Sequence, residues 1–197
     1  MAEHPASYDA FIRTVHWLTL ALIGGIYAAA WIAHSGLTGD WYQPVMQLHR
    51  SLGLSVAALT VARLAWRICA QIPALPSDLH QLQKFAARAN EVLLYLLLLT
   101  QPVIGLLMTN ARGQPVSFFL LFDIPPVIGF DRPLGKQLHG IHELTANVLL
   151  GAIGAHAAAA LFHHFIRRDE VLNAMLPARL RGVGRSLFAL RKAREQS

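Results

Sequence analysis

Four long apolar runs divide the chain, at roughly Ile12 to Ala33, Val45 to Trp66, Ala89 to Asn110 and Leu138 to Ile166, and most polar and charged residues fall between or beyond them. A helix of about 20 apolar residues crosses the hydrocarbon core of a bilayer. Each run is long enough, so the pattern predicts four transmembrane helices. The first run carries no Asp, Glu, Lys or Arg between Thr14 and Gly39, and the third carries none after Glu91. Pro102 removes one backbone donor from the third and predicts a kink that neighbouring helices accommodate. The second run holds Arg50, Arg63 and Arg67 towards its ends, where long basic side chains reach the interface.

Composition supports the same class. Of the 197 residues 54% are hydrophobic and only 14% charged, which is too apolar for an ordinary soluble domain of this size. The net charge of +6 is not a nucleic-acid signature, because long uncharged runs split the basic residues instead of gathering them on one face. Lys and Arg concentrate on cytoplasmic loops. With the N-terminus inside, the inner side collects Arg13, Arg63, Arg67, Lys84, Arg88, Arg167, Arg168 and the basic residues of the C-terminal tail. The outer side holds only Arg50, Arg112, Arg132 and Lys136. The imbalance predicts an all-α integral membrane protein, a four-helix transmembrane bundle with both termini cytoplasmic.

The N-terminal run resembles a signal peptide in having Arg13 ahead of apolar residues. It is long enough to span and it contains His16, so it reads as a retained first helix. The single cysteine, Cys69, excludes an intramolecular disulfide, and no CxxCH sequence is present for covalent c-type haem attachment. No internal repeat or second domain is visible. Residues 1–177 read as one membrane domain and residues 178–197 as a basic cytoplasmic tail. The segment from Val171 to Ser197 mixes Leu180, Leu187, Phe188 and Leu190 with arginines, so it reads either as an interfacial helix on the anionic inner leaflet or as a solvated end. The outer stretch VSFFLLFDIPPVIGFDRPLG, residues 116–135, is rich in Pro and Phe and is expected to lie against the outer membrane surface as a cap.

Ten histidines remain to be explained. His4, His34 and His80 fall in loops or at a terminus and read as solvated. His16, His49, His139, His142, His156, His163 and His164 lie within or at the ends of spans, where an ionisable side chain is costly and marks a functional site. His142 and His156 are 14 residues apart, a rise of about 21 Å and a rotation about 40° short of four whole turns, so they share a face. His139 and His156 are roughly 100° out of phase, which makes His142 the better upper position. By topology His16 lies at the depth of His156, and His49 at that of His142. Each cross-helix pair is suited to a metal or a haem iron. Zinc wants four ligands, whereas each level offers two histidines and little else. Two axial imidazoles on a flat macrocycle match better, because haem supplies the other four nitrogens. Gly24, Gly25, Gly53, Gly151 and Gly154 would admit such a disc near the backbones, although glycine also serves ordinary close packing.

The segments VHWLTL, MQLHRSLG, LLYLLLLTQPVIGL, LHGIHELTANVLL and GAHAAAALFHHF occur in an order that resembles the bacterial dihaem cytochrome b561 family, over roughly residues 8 to 177. The resemblance implies a multi-pass inner-membrane protein with two non-covalent b haems. His16 and His156 would be axial ligands of one, and His49 and His142 of the other. It also implies ubiquinone as a bound quinone or substrate near the inner haem, in contact with the position of His163, and a superoxide oxidase as the best-characterised kind of member. The chain departs from the family where Arg88 and Glu91 open the third span, since histidines often stand there.

The expected activity is therefore transfer of electrons from an outer-side donor, superoxide above all, to ubiquinone. Arg50, Arg112, Arg132 and Lys136 would attract an anionic donor, or serve simply as interfacial anchors. His163 would deliver a proton to the quinone, as its charge changes near neutral pH, or else mark a polar helix end, as His164 does. Glu143, beside a candidate ligand, would hydrogen-bond in its surroundings or meet water. Two rival readings are a non-enzymatic electron-transfer subunit linking a dehydrogenase or soluble cytochrome to the quinone pool, and a haemless transporter with structural histidines.

Overall fold

In the computed structural model, which describes residues 7–36, 39–74, 76 and 78–177, the chain forms four helices long and apolar enough to cross a membrane. Helix α1 spans Ala10–His34, α2 Tyr42–Cys69, α3 Gln81–Ala111 and α4 Arg132–Phe162. A short 3-10 turn, Gly39–Trp41, leads into α2, and a single π-helical turn, His163–Arg167, follows α4. His4 and the 178–197 tail lie outside the described residues.

The helices extend beyond the apolar runs because their ends are made by polar caps, which lie outside the hydrocarbon. Asp9 accepts a hydrogen bond from the Ile12 amide at 2.9 Å and starts α1. His80 is exposed, as expected, and also starts α3. Its ring accepts from the Leu82 amide at 3.2 Å while Gln83 accepts from the His80 amide at 3.1 Å, a reciprocal cap that begins the helix well before Ala89. Asp131 accepts from the Leu134 amide at 3.0 Å, with Pro133 in the first turn of α4. His34 is the last residue of α1, and its Nδ1 lies 2.7 Å from the Ala30 carbonyl. Helix α3 runs on through Pro102.

The outer stretch is not merely a surface loop. It opens as an antiparallel hairpin of β1, Val116–Phe118, and β2, Phe122–Ile124, docked on α2. The Ser51 hydroxyl donates to the Ser117 carbonyl at 3.1 Å and accepts from the Phe119 amide at 2.9 Å. Phe119 and Leu120 both have positive φ, 48° and 61°, and the Leu121 amide returns to Phe118 O at 2.9 Å. The paired Phe118 and Phe122 are thus joined by three residues, Phe119, Leu120 and Leu121, the first two left-handed and neither of them the usual Asn or Gly. Leu120 and Leu121 project as an exposed apolar tip.

Helix α1 packs on α2, α3 on α4, and α2 on α3. Helix α4 brings no Cα within 8 Å of α1 or α2, although directly packed helices have axes about 8–10 Å apart. The bundle is thus two helix pairs with a separation across it, bridged by side chains such as Tyr27, whose hydroxyl donates to Ala146 O at 2.5 Å. At the other end from the hairpin, the segment after the π-turn folds under α1. The Tyr8 amide donates to Ala174 O at 3.2 Å, Arg13 to Leu176 O at 3.3 Å and the Trp17 indole to Met175 O at 3.0 Å.

Candidate functional site

The separation across the bundle is where the histidines meet. The rings of His16 on α1 and His156 on α4 have centroids 6.2 Å apart, and those of His49 on α2 and His142 on α4 are 6.3 Å apart. His139 is not in either pair. An ion held by one nitrogen of each of two imidazoles, at roughly 2.0–2.1 Å per bond, separates the ring centroids by about 6 Å once the rings' half-widths are included. Both pairs have that spacing. Among the described residues no three His, Cys, Asp or Glu side chains converge on a metal position, so an ion at either level would find at most the two imidazoles.

At the hairpin end, His49 Nδ1 lies 3.0 Å from the Ile26 carbonyl. A carbonyl only accepts, so Nδ1 carries the proton and Nε2 keeps its lone pair for a ligand. His142 Nδ1 is buried with no hydrogen-bond partner. A cavity of about 410 Å³, lined by His49, His142, Tyr27, Gly53, Gly105 and Arg112 among others, surrounds the pair. Gly105, not singled out from the sequence, is there for space: a Cβ on it would meet His142 Cε1 at 3.2 Å. Its setting in the TQPVIGL stretch was the only available signal. Gly24, Gly53, Gly151 and Gly154 have nothing within 4 Å of an added Cβ, whereas Gly25 packs against Leu52 Cδ1 at 3.2 Å. His139 also lines this cavity, with a buried Nδ1 that has no hydrogen-bond partner.

At the other pair, Arg63 stands 3.3 Å from His16 Nδ1. The sequence suggested an interfacial arginine. Because α2 continues to Cys69, Arg63 lies inside the helix, its guanidinium packed over the Tyr95 ring at 5.6 Å. Its Nε and the Tyr95 hydroxyl are buried and unpartnered, polar groups suited to an acidic substituent on a group held at this level. The residues at the His16–His156 level therefore fit a cofactor with an acidic edge, and the cavity at the His49–His142 level has room for a large group. Arg67 instead pairs with Glu91 at 2.9 Å and ties α2 to α3, which accounts for a carboxylate at that position.

Three of the four outer cations converge. Arg112, Arg132 and Lys136 line a cavity of about 810 Å³ together with Gln114 and Phe130. Arg112 also lines the His49–His142 cavity, so the two adjoin. Arg50 lines the inner of the two and is held by Gln114 Oε1 at 2.6 Å and Pro115 O at 3.3 Å. Glu143 also lines it.

His163 stands at the far end of α4. Its Nδ1 is 2.5 Å from Asp169 Oδ2. Burial alone would raise the Asp169 carboxyl. The hydrogen bonds from His163, the Val171 amide and Arg167 outweigh it and hold the group below its ordinary 3.8.

The model of the prokaryotic cytochrome b561 family matches residues 7–178. Cytochrome b561 homolog 2 of Escherichia coli (strain K12) is 30% identical over 173 residues, covering 87% of this chain and 92% of the relative. Cytochrome b561 homolog 1 of the same organism is 31% identical over 169 residues, covering 84% and 94%. The protein named probable superoxide oxidase CybB, of Yersinia pestis, is 31% identical over 165 residues, covering 83% and 92%.

Proposed function

The chain belongs to the prokaryotic cytochrome b561 family, multi-pass membrane proteins of the bacterial inner membrane that bind b-type haem and transfer electrons, and on that premise we propose that it oxidises superoxide at its outer side and reduces ubiquinone. The observation that carries this reading is the pair of imidazole couples, 6.2 and 6.3 Å between centroids, spanning helices whose Cα atoms stay more than 8 Å apart. In it His16 and His156 hold one haem b and His49 and His142 a second. Haem, when bound, supplies one-electron exchange.

The chain's own residues do the rest. The Ile26 carbonyl fixes the tautomer of His49, and Gly105 leaves room for the His142 ring. Arg112, Arg132 and Lys136 give the outer cavity a positive field that draws a small anion inward and raises its encounter rate. The name carried by the Yersinia pestis relative supports superoxide as that anion. His163 faces the quinone and passes it a proton.

The test is a reduced-minus-oxidised spectrum of the purified protein, followed by superoxide and a soluble quinone in the same sample. The reading expects rapid haem reduction by superoxide alone and reoxidation by quinone. Reduction only with a co-purifying dehydrogenase or cytochrome would favour a non-enzymatic electron-transfer subunit.

A further inference from the structure

Helix α4 does not end in the ordinary way. After Phe162 it widens into one π-turn, His163–Arg167, and Arg168 takes the left-handed conformation at φ 60°, ψ 40°. Such a residue reverses the chain at a helix end and is normally Gly. The reversal brings the Asp169 amide to His163 O at 3.2 Å and its carboxylate to His163 Nδ1 at 2.5 Å. π-Turns of this kind recur at functional sites.

The carboxylate is held from several sides. Arg167 Nε reaches the same Oδ2 at 3.3 Å, the Val171 amide donates to Oδ1 at 3.1 Å, and Arg167 NH2 reaches Asp78 Oδ2 at 2.6 Å in the connection between α2 and α3. The other charged or titratable neighbours are His164, Arg168 and Glu170 in sequence, and Arg13 on α1, which bonds to Leu176. His163 lies seven residues beyond His156, about 20° short of two turns, and so continues the face that carries His142 and His156.

We propose that Asp169 is a positioning residue for His163, fixing the imidazole with its proton on Nδ1 and its Nε2 offered to the reduced quinone. A carboxylate only accepts, so Nδ1 must donate to it. This inference rests on the proposed role of His163. In the step, the Nε2–H bond breaks and the proton goes to a quinone oxygen whose electrons come from the outer donor. The imidazole is left neutral, keeping its Nδ1 proton hydrogen-bonded to Asp169, and solvent returns a proton to Nε2. The ring that makes the transfer carries a proton on each nitrogen, the one on Nδ1 held by Asp169.

The experiment measures quinone reduction against pH in haem-loaded protein for Asp169→Asn, Asp169→Glu, His163→Ala, Asp78→Asn and the Asp169→Asn/His163→Ala pair. Asp169→Asn is expected to lower kcat about 10-fold or more with little change in KM, on the scale of losing a histidine's carboxylate partner. Its pH–rate profile should also change, because an Asn amide can donate to Nδ1 and no longer holds the ring proton there. Asp169→Glu should restore much of the rate, and the double variant should be no slower than His163→Ala. Asp78→Asn removes only the tie to the α2–α3 connection and should keep the original pH profile. A slow His163→Ala beside a normal Asp169→Asn would overturn this inference alone, as would an Asp78→Asn profile shifted like that of Asp169→Asn. A normal His163→Ala would overturn the quinone role of His163 and the inference with it. Should Asp169→Asn lose haem, Asp169→Glu decides instead: a rate near that of the parent supports the proposal, and one as slow as His163→Ala overturns it.

Discussion

His16 and His156 face each other with ring centroids 6.2 Å apart, on helices whose Cα atoms never come within 8 Å. Two apolar helices gain nothing in lipid by standing apart, since close packing is what holds membrane helices together. On the proposed function, the separation makes room for a group held between the rings. If that is a haem, His16→Ala or His156→Ala removes one b-type centre and leaves the spectrum of the other. His49→Ala or His142→Ala does the converse. Equal loss of both centres in a variant that stays folded would contradict the pairing.

Arg112 lines both outer cavities, so its charge lies on the route to the His49–His142 pair. Arg112→Gln with Lys136→Gln is expected to slow reduction by superoxide about 10-fold at low ionic strength. The difference should shrink as salt rises and the Debye length falls to about 10 Å at 0.1 M. A rate equally slow at all salt concentrations would argue for a structural role of the two cations.

Asp9 caps α1 and also accepts from the Trp66 indole at 2.9 Å. Burial alone would raise its carboxyl, but the Ile12 amide, the Trp66 and Phe11 donors and the Arg13 charge lower it below 3.8. A carboxyl with a depressed folded value stabilises the fold above its unfolded value, and the contribution is lost as pH falls through the folded value. Asp9→Ala should therefore cost about 1 kcal/mol near neutral pH. The gap between variant and parent, followed by thermal unfolding in detergent, should close below pH 3.8. A gap that persists at lower pH would assign the effect to packing.

Much of this was legible in the sequence, for reasons that also mark its limits. Four runs of bilayer length declare four spans, and the 14-residue spacing of His142 and His156 declares a shared face, because both are periodic properties of one helix. Helix ends were not, since a histidine at a cap, such as His80, gives no apolar signal. The second run places Arg63 near its inner end, but nothing in the run shows that the side chain turns to His16 and Tyr95. The β1–β2 hairpin was hidden because Phe119-Leu120 lacks the Asn-Gly signature of its turn. The Asp169–His163 contact was hidden because the reversal at Arg168 uses no glycine.

The Phe119-Leu120 turn yields its own expectation. Positive φ costs a residue with a side chain about 1–2 kcal/mol, and Asn-Gly relieves most of it. Phe119→Asn with Leu120→Gly should raise the thermal stability in detergent by several degrees. A lower midpoint would mean that the apolar tip contributes more than the turn costs.

The central claim is that each imidazole pair holds one haem. Haem quantification against protein concentration, in purified protein reconstituted with haem, tests it directly. Two haem b per chain is the expected result. A ratio of one, or a preparation without b-type absorption bands, would contradict it.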